Sequence, residues 1–242
     1  MVLDLKKARI ITAMTTPFDE EGSLDYGRLE KVINFLLENG TEGLVVGGTT
    51  GESPTLTHDE KLSLYRKTVE LVAGRVPIIA GTGSFNTAET IAFTKEVETL
   101  AGIDAALVVT PYYSKANQAG LYAHFEAVAN STKLPIIIYN VPGRTSVSID
   151  PKTTIKLSLI ENIIGVKECL GLDALSEEIE NTPDDFLVYT GEDGNAFPAK
   201  CIGATGVISV ASHVLGNEMS EMYNLLQEGS MAQAAKIHRQ IV

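Results

Sequence analysis

Short apolar runs recur along the whole chain and are separated by segments that contain Gly, Pro or charged residues. None of the runs alternates apolar with polar positions, so each is typical of a strand buried on both faces. The eight runs are Ile10–Met14, Gly43–Val46, Pro77–Ala80, Ala105–Val109, Pro135–Tyr139, Ile163–Lys167, Phe186–Tyr189 and Gly206–Val210. We therefore predict eight strands of a parallel sheet.

Segments with helical spacing lie between most of these runs. In the clearest segment, apolar residues from Leu29 to Leu37 follow one another at i, i+3, i+4, i+7 and i+8. Asp25 can cap this helix, and Asn39-Gly40 can end it. Two later helices are predicted to begin with capping boxes, Thr57–Glu60 and Asn86–Glu89, in which the first side chain and the final Glu satisfy opposite backbone amides.

The alternation of strands and helices predicts an α/β fold, a closed (β/α)8 TIM barrel. An open doubly wound sheet is the less favoured alternative. The chain has 242 residues, of which 44% are hydrophobic, and this is enough for one domain of that kind.

Composition narrows the classes of function. A net charge of -12 argues against nucleic acid as a partner, because phosphate backbones are bound by clustered Lys and Arg. No apolar stretch reaches the roughly 20 residues that span a bilayer. Residues 1–7 lack the apolar core of a signal peptide, and Cys169 and Cys201 offer neither a disulfide framework nor metal-ligand spacing. We therefore predict a cytoplasmic protein.

In a barrel, the carboxyl ends of the strands and the loops after them surround a common pocket. The polar segments at these ends are Thr15–Pro17, Gly47–Glu52, Thr110–Tyr113, Tyr139–Arg144, Lys167 and Thr190–Glu192. They bring hydroxyls, phenols, one arginine and one lysine together, without a His or Cys cluster able to hold a metal. This set predicts a metal-free site for an anionic carbonyl compound.

Lys167 ends a strand that is otherwise apolar. Burial of an ammonium costs several kcal/mol unless the group is paired or loses its proton, and a neutral lysine amine is a nucleophile toward carbonyl carbon. The alternative is a lysine that clears the strand end and points into water or toward Glu168.

Three further features have both a functional and a structural interpretation. The Gly47–Glu52 segment lacks the Walker lysine and the Rossmann glycine spacing, so it is either a turn that approaches a ligand closely or a plain β-to-α turn. Tyr139 is either a phenol at the barrel mouth or a core aromatic. Arg144 is either a clamp for a substrate carboxylate or a surface arginine. We interpret the histidines as structural: His58, His124, His213 and His238.

Five motifs in register resemble the dihydrodipicolinate synthase family, from about residue 8 to the end of the chain. They are Gly48–Ser53, Val109–Tyr113, Tyr139–Thr145, Gly165–Glu168 and Gly206–Val210. Any one of these motifs would be weak, but five at barrel-like spacing are specific.

The resemblance implies a Schiff base between pyruvate and Lys167, whose enamine attacks aspartate semialdehyde on the way to lysine and diaminopimelate. No cofactor is implied. Tyr139 would donate and accept protons near the imine, linked through Thr49 to Tyr113. Because Tyr113 in this family reaches into the neighbouring subunit's site, the resemblance implies a homodimer or homotetramer.

The resemblance also assigns four substrate-binding positions. Thr50 would bind the pyruvate carboxylate, and Arg144 would hold the carboxylate of the semialdehyde. The main chain at Gly191 and Ile208 would line the pocket. Two related activities remain as alternatives, N-acetylneuraminate lyase and 2-keto-3-deoxy sugar-acid lyase, although these enzymes generally lack the arginine. An inactive, truncated relative that binds pyruvate is a third alternative.

Two departures from the family pattern carry expectations. Family members continue beyond Val242, so we expect residues 1–230 to form the catalytic barrel and residues 231–242 to begin a C-terminal helical region that is largely absent. At the family's lysine-inhibition site, Lys61 stands where a histidine is usual and Phe85 where an asparagine is usual. A cation at Lys61 would repel the ammonium groups of the effector, so we predict weak or absent feedback by lysine.

Overall fold

Eight parallel strands close into a barrel in chain order in the computed structural model, which describes residues 5–242. The strands are β1 Ile10–Ala13, β2 Gly43–Val46, β3 Ile78–Gly81, β4 Ala105–Val109, β5 Ile136–Asn140, β6 Ile163–Glu168, β7 Leu187–Thr190 and β8 Gly206–Ser209. The last strand pairs with the first, with Ile11 opposite Ile208. The predicted TIM barrel is confirmed, and the open-sheet alternative is wrong.

Helices follow each strand and surround the barrel. They are α1 Tyr26–Glu38, α2 His58–Val72, α3 Thr87–Glu98, α4 Gln118–Ser131, α5 Pro142–Thr145, α6 Pro151–Leu157, α7 Leu172–Asn181, α8 Ala196–Cys201, α9 Ser212–Gln227 and α10 Met231–Ile241. Short 3₁₀ turns lie at Leu5–Lys7, Ser53–Thr55 and Asp193–Asn195.

All three predicted capping residues stand at helix starts, but only one of the two predicted capping boxes is complete. Asp25 accepts a hydrogen bond from the backbone amide of Arg28 at 2.9 Å, and the Thr57 capping box is complete. Asn86 caps α3, but its own amide donates to the Ser84 hydroxyl at 3.0 Å rather than to Glu89. The second capping box is therefore wrong in its reciprocal half, because a nearer serine oxygen takes the amide.

Successive strand residues pack on opposite sides of the barrel wall, which explains why the runs are apolar throughout. Val45, Ile79 and Ile137 belong to the cluster inside the barrel, while Leu44 and Val46 pack outward against the helices. Each such side chain contributes about 1.5–3 kcal/mol when fully buried. Both layers depend on the strands remaining closed.

The amino-terminal end of the barrel is filled by side chains. Leu5 and Ala8 belong to the interior cluster, and the buried Tyr189 hydroxyl donates toward their carbonyl oxygens at 2.9 Å. This leaves the carboxyl end as the open mouth.

The last helix packs on its predecessor. Ala234 of α10 is buried with Met219, Met222 and Tyr223 of α9. The division of the chain at residue 230 stays a prediction. Within residues 5–242, no helix has both the length and the apolar character needed to cross a membrane.

Barrel closure generates a stability prediction. A Cβ at Gly206 would overlap the Arg9 carbonyl oxygen, which accepts a closing hydrogen bond from the Val207 amide at 2.8 Å. We expect Gly206→Ala to lower the free energy of unfolding by about 1–3 kcal/mol, as overpacked cores do. Gly143→Ala is the matched control, because a Cβ there meets nothing within 4 Å. Urea unfolding followed by circular dichroism measures both; equal midpoints would contradict this view of closure.

Candidate active site

The phenol and the amine of the predicted site lie on adjacent strands at the open end of the barrel. Tyr139 of β5 is opposite Lys167 of β6 in the parallel register. Both side chains are buried, and the Lys167 Nζ atom lies 4.4 Å from the centroid of the Tyr139 ring. Two residues that are distant in the chain therefore become a pair through strand pairing.

Lys167 is 5% exposed, which does not fit a lysine that clears the strand and points into water. Burial lowers its pKa, and the positive charge of Arg144 adds to this effect. Cys169, Asp193 and Glu192 oppose it. Since burial is the largest of these causes, the net effect favours the neutral amine, which is the nucleophilic form.

Tyr139 is 6% exposed, and burial raises its pKa to about 12. A hydrogen bond with Thr49 and the charge of Arg144 act in the opposite direction. The phenol is therefore protonated near neutral pH and is able to donate a hydrogen bond or a proton. Thr49 itself is exposed, so the pair connects the dry interior with solvent.

A pocket of about 270 Å³ opens at the Tyr139 side of this pair. Thr49, Tyr139 and Arg144 line it together with apolar side chains of β4, Leu107 and Val109. A larger groove of about 940 Å³ lies at the opposite end of the barrel. We place the candidate site at the smaller pocket, because Tyr139, which lies beside the Lys167 amine, lines it and barrel enzymes use the carboxyl end.

The glycine turn after β2 is shaped by packing. Gly47 has a φ of +63°, and a Cβ there would collide with the hydroxyl of Tyr65 from α2. That hydroxyl donates to the Gly81 carbonyl at 2.6 Å. For Gly47, the interpretation as a plain β-to-α turn is therefore sufficient. This packing fixes the turn and, with it, the position of Thr49.

The remaining predicted positions differ in how close they come to Lys167. Gly191 lies against it, since a Cβ there would be 2.9 Å from the Lys167 Cε atom. Ile208 is buried in the interior cluster with Tyr139, and Thr50 is half-buried in the glycine turn. Tyr113 is 89% exposed, with a φ of +72°, and it does not line the pocket of its own protomer.

Two residues near Lys167, Cys169 and Asp193, were missed by the sequence reasoning, and Glu192 was named only as part of a polar strand end. Burial raises the pKa of the Cys169 thiol to about 12, although the charge of Lys167 lowers it. Asp193 accepts hydrogen bonds from the amides of Val210 and Ala211, at 3.1 and 2.9 Å. The charge of Glu192 raises the pKa of both Lys167 and Cys169. The spacing of Cys169 at two residues from Lys167 was a usable signal, because alternate strand residues share a side.

The histidines have structural partners. His124 is buried and its Nδ1 atom lies 2.8 Å from the Thr87 hydroxyl, while His58 pairs with Glu96 at 2.8 Å. No group of three or more His, Cys, Asp or Glu side chains suited to a metal ion occurs within residues 5–242.

Comparison with known proteins identifies close relatives. A family model described as the dihydrodipicolinate synthetase family matches residues 6–242. The 4-hydroxy-tetrahydrodipicolinate synthase of Enterococcus faecalis is 55% identical over 240 residues, covering 99% of this chain and 83% of that protein. Its counterpart in Listeria innocua is 57% identical over 242 residues, covering 99% and 82%. The crystal structure of a dihydrodipicolinate synthase from Bacillus anthracis superimposes with a TM-score of 0.95 at 51% identity, covering 98% of this chain and 81% of that one.

The burial of Lys167 predicts its titration. Because burial disfavours the charged form, the neutral amine should dominate at a lower pH than the ordinary lysine value of about 10.4. Competitive labelling with acetic anhydride, followed by peptide mapping, measures this against Nα-acetyl-lysine amide in the same tube. We expect the Lys167 reactivity to rise at lower pH than that of the reference. A midpoint at or above the reference would contradict the prediction.

Proposed function

The chain belongs to the dihydrodipicolinate synthetase family, and from that premise we propose that it is a lyase that condenses pyruvate with L-aspartate 4-semialdehyde. The product is 4-hydroxy-tetrahydrodipicolinate, an intermediate of lysine and diaminopimelate biosynthesis. The observation that carries the proposal is the buried Lys167 amine, whose pKa is lowered, beside the Tyr139 phenol.

The first half of the reaction makes a carbon nucleophile from pyruvate. The neutral Lys167 amine attacks the keto carbon, and loss of water gives an imine bound to Nζ. The imine nitrogen, once protonated, withdraws electrons from the neighbouring methyl group, so a proton leaves that carbon and an enamine forms. The covalent bond to Lys167 supplies this electron sink, and we propose no external cofactor.

The second half joins the two substrates and releases the enzyme. The enamine carbon attacks the aldehyde carbon of the semialdehyde, and the new oxygen takes up a proton. The amino group of the semialdehyde then replaces Lys167 on the imine carbon and closes the ring. One molecule of water is lost overall, and the free amine of Lys167 is restored.

Tyr139 is proposed to carry the protons of these steps. Its ring centroid lies 4.4 Å from the amine, and because its pKa is raised the phenol holds a proton to deliver when water leaves. Thr49 is hydrogen-bonded to it and exposed, so the hydroxyl offers the route by which the phenol exchanges protons.

Substrate binding is proposed at four positions. Thr50 would hold the pyruvate carboxylate in the glycine turn, with the main chain at Gly191 and Ile208 shaping the inner wall. Arg144 lies at the exposed rim of the pocket, where a guanidinium is able to bind the carboxylate of the second substrate in a bidentate manner.

We also propose a homodimer or homotetramer in which Tyr113 completes the relay of a neighbouring subunit. The position of Tyr113 supports this proposal. Its aromatic side chain is 89% exposed and its φ is positive, which is unfavourable, and both features are typical of a side chain presented to a partner.

The cytoplasm is the compartment we propose, since Cys169 and Cys201 are both free thiols.

Feedback by lysine is proposed to be weak or absent. Lys61 lines both the pocket above Tyr139 and an adjoining cavity with His58 and Glu89. Its Nζ atom lies 5.8 Å from the centroid of the Phe93 ring, and burial lowers its pKa. A positive charge at this position disfavours a ligand that carries two ammonium groups.

Trapping with borohydride tests the Schiff base. Incubation with pyruvate and sodium borohydride should place a stable adduct on Lys167, which peptide mapping locates. Lys167→Ala should lose both the adduct and the condensation with aspartate semialdehyde, because within residues 5–242 Lys167 is the one lysine that is fully buried. Lys152→Ala, which changes an exposed lysine, is the control and should retain both. An adduct at another lysine would reject the mechanism.

Arg144 distinguishes this reaction from the sugar-acid lyases. Loss of a charge-assisted hydrogen bond of about 1.5–3 kcal/mol should raise the KM for aspartate semialdehyde by about 10- to 100-fold in Arg144→Ala. Trapping of pyruvate should persist. Arg144→Lys should fall between the two, since it keeps the charge but loses the bidentate geometry. Turnover of N-acetylneuraminate or 2-keto-3-deoxygluconate by the unaltered protein, with none of the semialdehyde, would favour the alternative instead.

A further inference from the structure

Two buried carboxyl groups lie behind the strand that carries Lys167. Glu168 of β6 and Glu178 of α7 are both 0% exposed. Within residues 5–242, neither forms an ion pair with a basic side chain. The reaction steps above use neither group, and burial of two unpaired carboxylates side by side would be expensive.

Glu168 is surrounded by donors. Its Oε1 atom accepts a hydrogen bond from the Leu170 amide at 2.7 Å, and the Asn140 Nδ2 atom donates to Oε1 and Oε2 at 3.1 and 2.9 Å. Donors of this kind stabilise the ionised form, so Glu168 is the partner suited to carry the charge. Its Oε2 atom retains a free lone pair.

Glu178 has the opposite environment. Neither of its oxygens has a hydrogen bond of normal geometry, and the hydroxyl of the buried Thr154 also lacks one. Its polar neighbours are Glu168 and Thr154. A proton on Glu178 satisfies this arrangement, because the acid donates to the free lone pair of Glu168 while Thr154 donates to the remaining oxygen. Burial raises the pKa of both carboxyls, and the Glu168 charge raises that of Glu178 further.

The same hydrogen bonds reach the catalytic pair. Asn140 follows Tyr139 in the chain, Glu168 follows Lys167, and the two pairs lie opposite each other in the register of β5 and β6. Asn140 also bonds both backbone groups of Ile149, at 3.0 and 3.2 Å. This closes the segment 141–149, which contains Arg144. Through Asn140, the Glu168 carboxylate therefore holds the ends of β5 and β6, which carry Tyr139 and Lys167. It also holds the loop that carries Arg144.

We propose that Glu168 and Glu178 share one proton and act as the positioning residues that hold Lys167 and Tyr139 in working geometry. The inference rests on the proposed function, and it adds that this carboxyl pair determines how the activity falls at alkaline pH. When the shared proton is lost, two negative charges face each other in a dry space. Glu168 must then move or change its hold on Asn140, and the geometry of the catalytic pair changes with it.

Other charged groups near the pair lie at the surface, except for the half-buried Lys200. Those on α7 and on the packed helices α6 and α8 are Asp173, Glu177, Glu180, Lys152, Lys156 and Lys200. Glu177 raises the pKa of Glu178 somewhat more, and the Cys169 thiol on the loop after β6 is affected by Glu168. Lys200 is occupied by the carbonyls of Ala204 and Thr205.

Kinetic pH profiles of two variants test the proposal. Glu178→Gln keeps a donor toward Glu168 but cannot ionise, so the alkaline limb of kcat should move to higher pH while the KM for pyruvate changes little. Glu178→Leu removes the donor, and kcat should fall by up to about 100-fold, the effect of a displacement near 1 Å in a catalytic group. Circular dichroism verifies that both variants are folded. An alkaline limb that is unchanged in Glu178→Gln would overturn the proposal.

A measurement without substrates detects the shared proton. In protein labelled with ¹³C at the glutamate carboxyl carbon, one resonance should keep the chemical shift of a protonated acid at neutral pH and be absent from Glu178→Gln. If the resonance is missing from the unaltered protein, the inference fails.

Failure of the proposed function would be distinguishable from failure of this inference. The unaltered protein would then make no product from aspartate semialdehyde, while the resonance and the pH profile of pyruvate trapping would still decide whether the pair positions Lys167. A resonance with no change in that trapping profile in Glu178→Gln would show the pair to be merely structural.

Discussion

Burial of the Lys167 side chain at the end of β6 removes water from an ammonium, and the arrangement of the barrel mouth depends on how that cost is met. A buried carboxylate beside the amine would restore its charge and so remove the proposed nucleophile. The protein instead surrounds the amine with the Tyr139 ring and the bare backbone of Gly191. The amine is held by packing rather than by an ion pair.

Strand alternation makes this possible, because it separates Lys167 from the carboxylate next to it in the chain. Lys167 faces the inside of the barrel, while Glu168 faces α7 and bonds Asn140. Of the acids that do act on Lys167, Asp193 is engaged by the backbone amides of the loop after β8, and Glu192 is exposed. Their attraction for a proton on the amine is therefore weakened.

Local sequence patterns predicted most of the barrel, because strands buried on both faces and helix caps depend on residues that are close together in the chain. They also placed Lys167 and Tyr139 at strand ends. They failed where a distant or competing residue determines the contact. The Asn86 amide, for example, donates to the Ser84 hydroxyl and not to Glu89. Glu178 lies on an amphipathic helix, where periodicity shows that a position is buried but not that its neighbour is another carboxyl. A single chain likewise cannot show what covers Tyr113.

Proton exchange is the remaining constraint on the site. In the proposed mechanism the Tyr139 phenol, whose pKa is raised to about 12 by burial, gives up and regains a proton although it is buried away from water. Thr49 resolves this, because it is exposed and yet hydrogen-bonded to Tyr139. Its position is fixed from behind by Tyr65, which fills the space that only a glycine leaves at position 47. Helix α2 thus sets the place where the dry barrel meets the solvent, and in the proposed mechanism a larger residue at position 47 would disturb the contact of Thr49 with Tyr139.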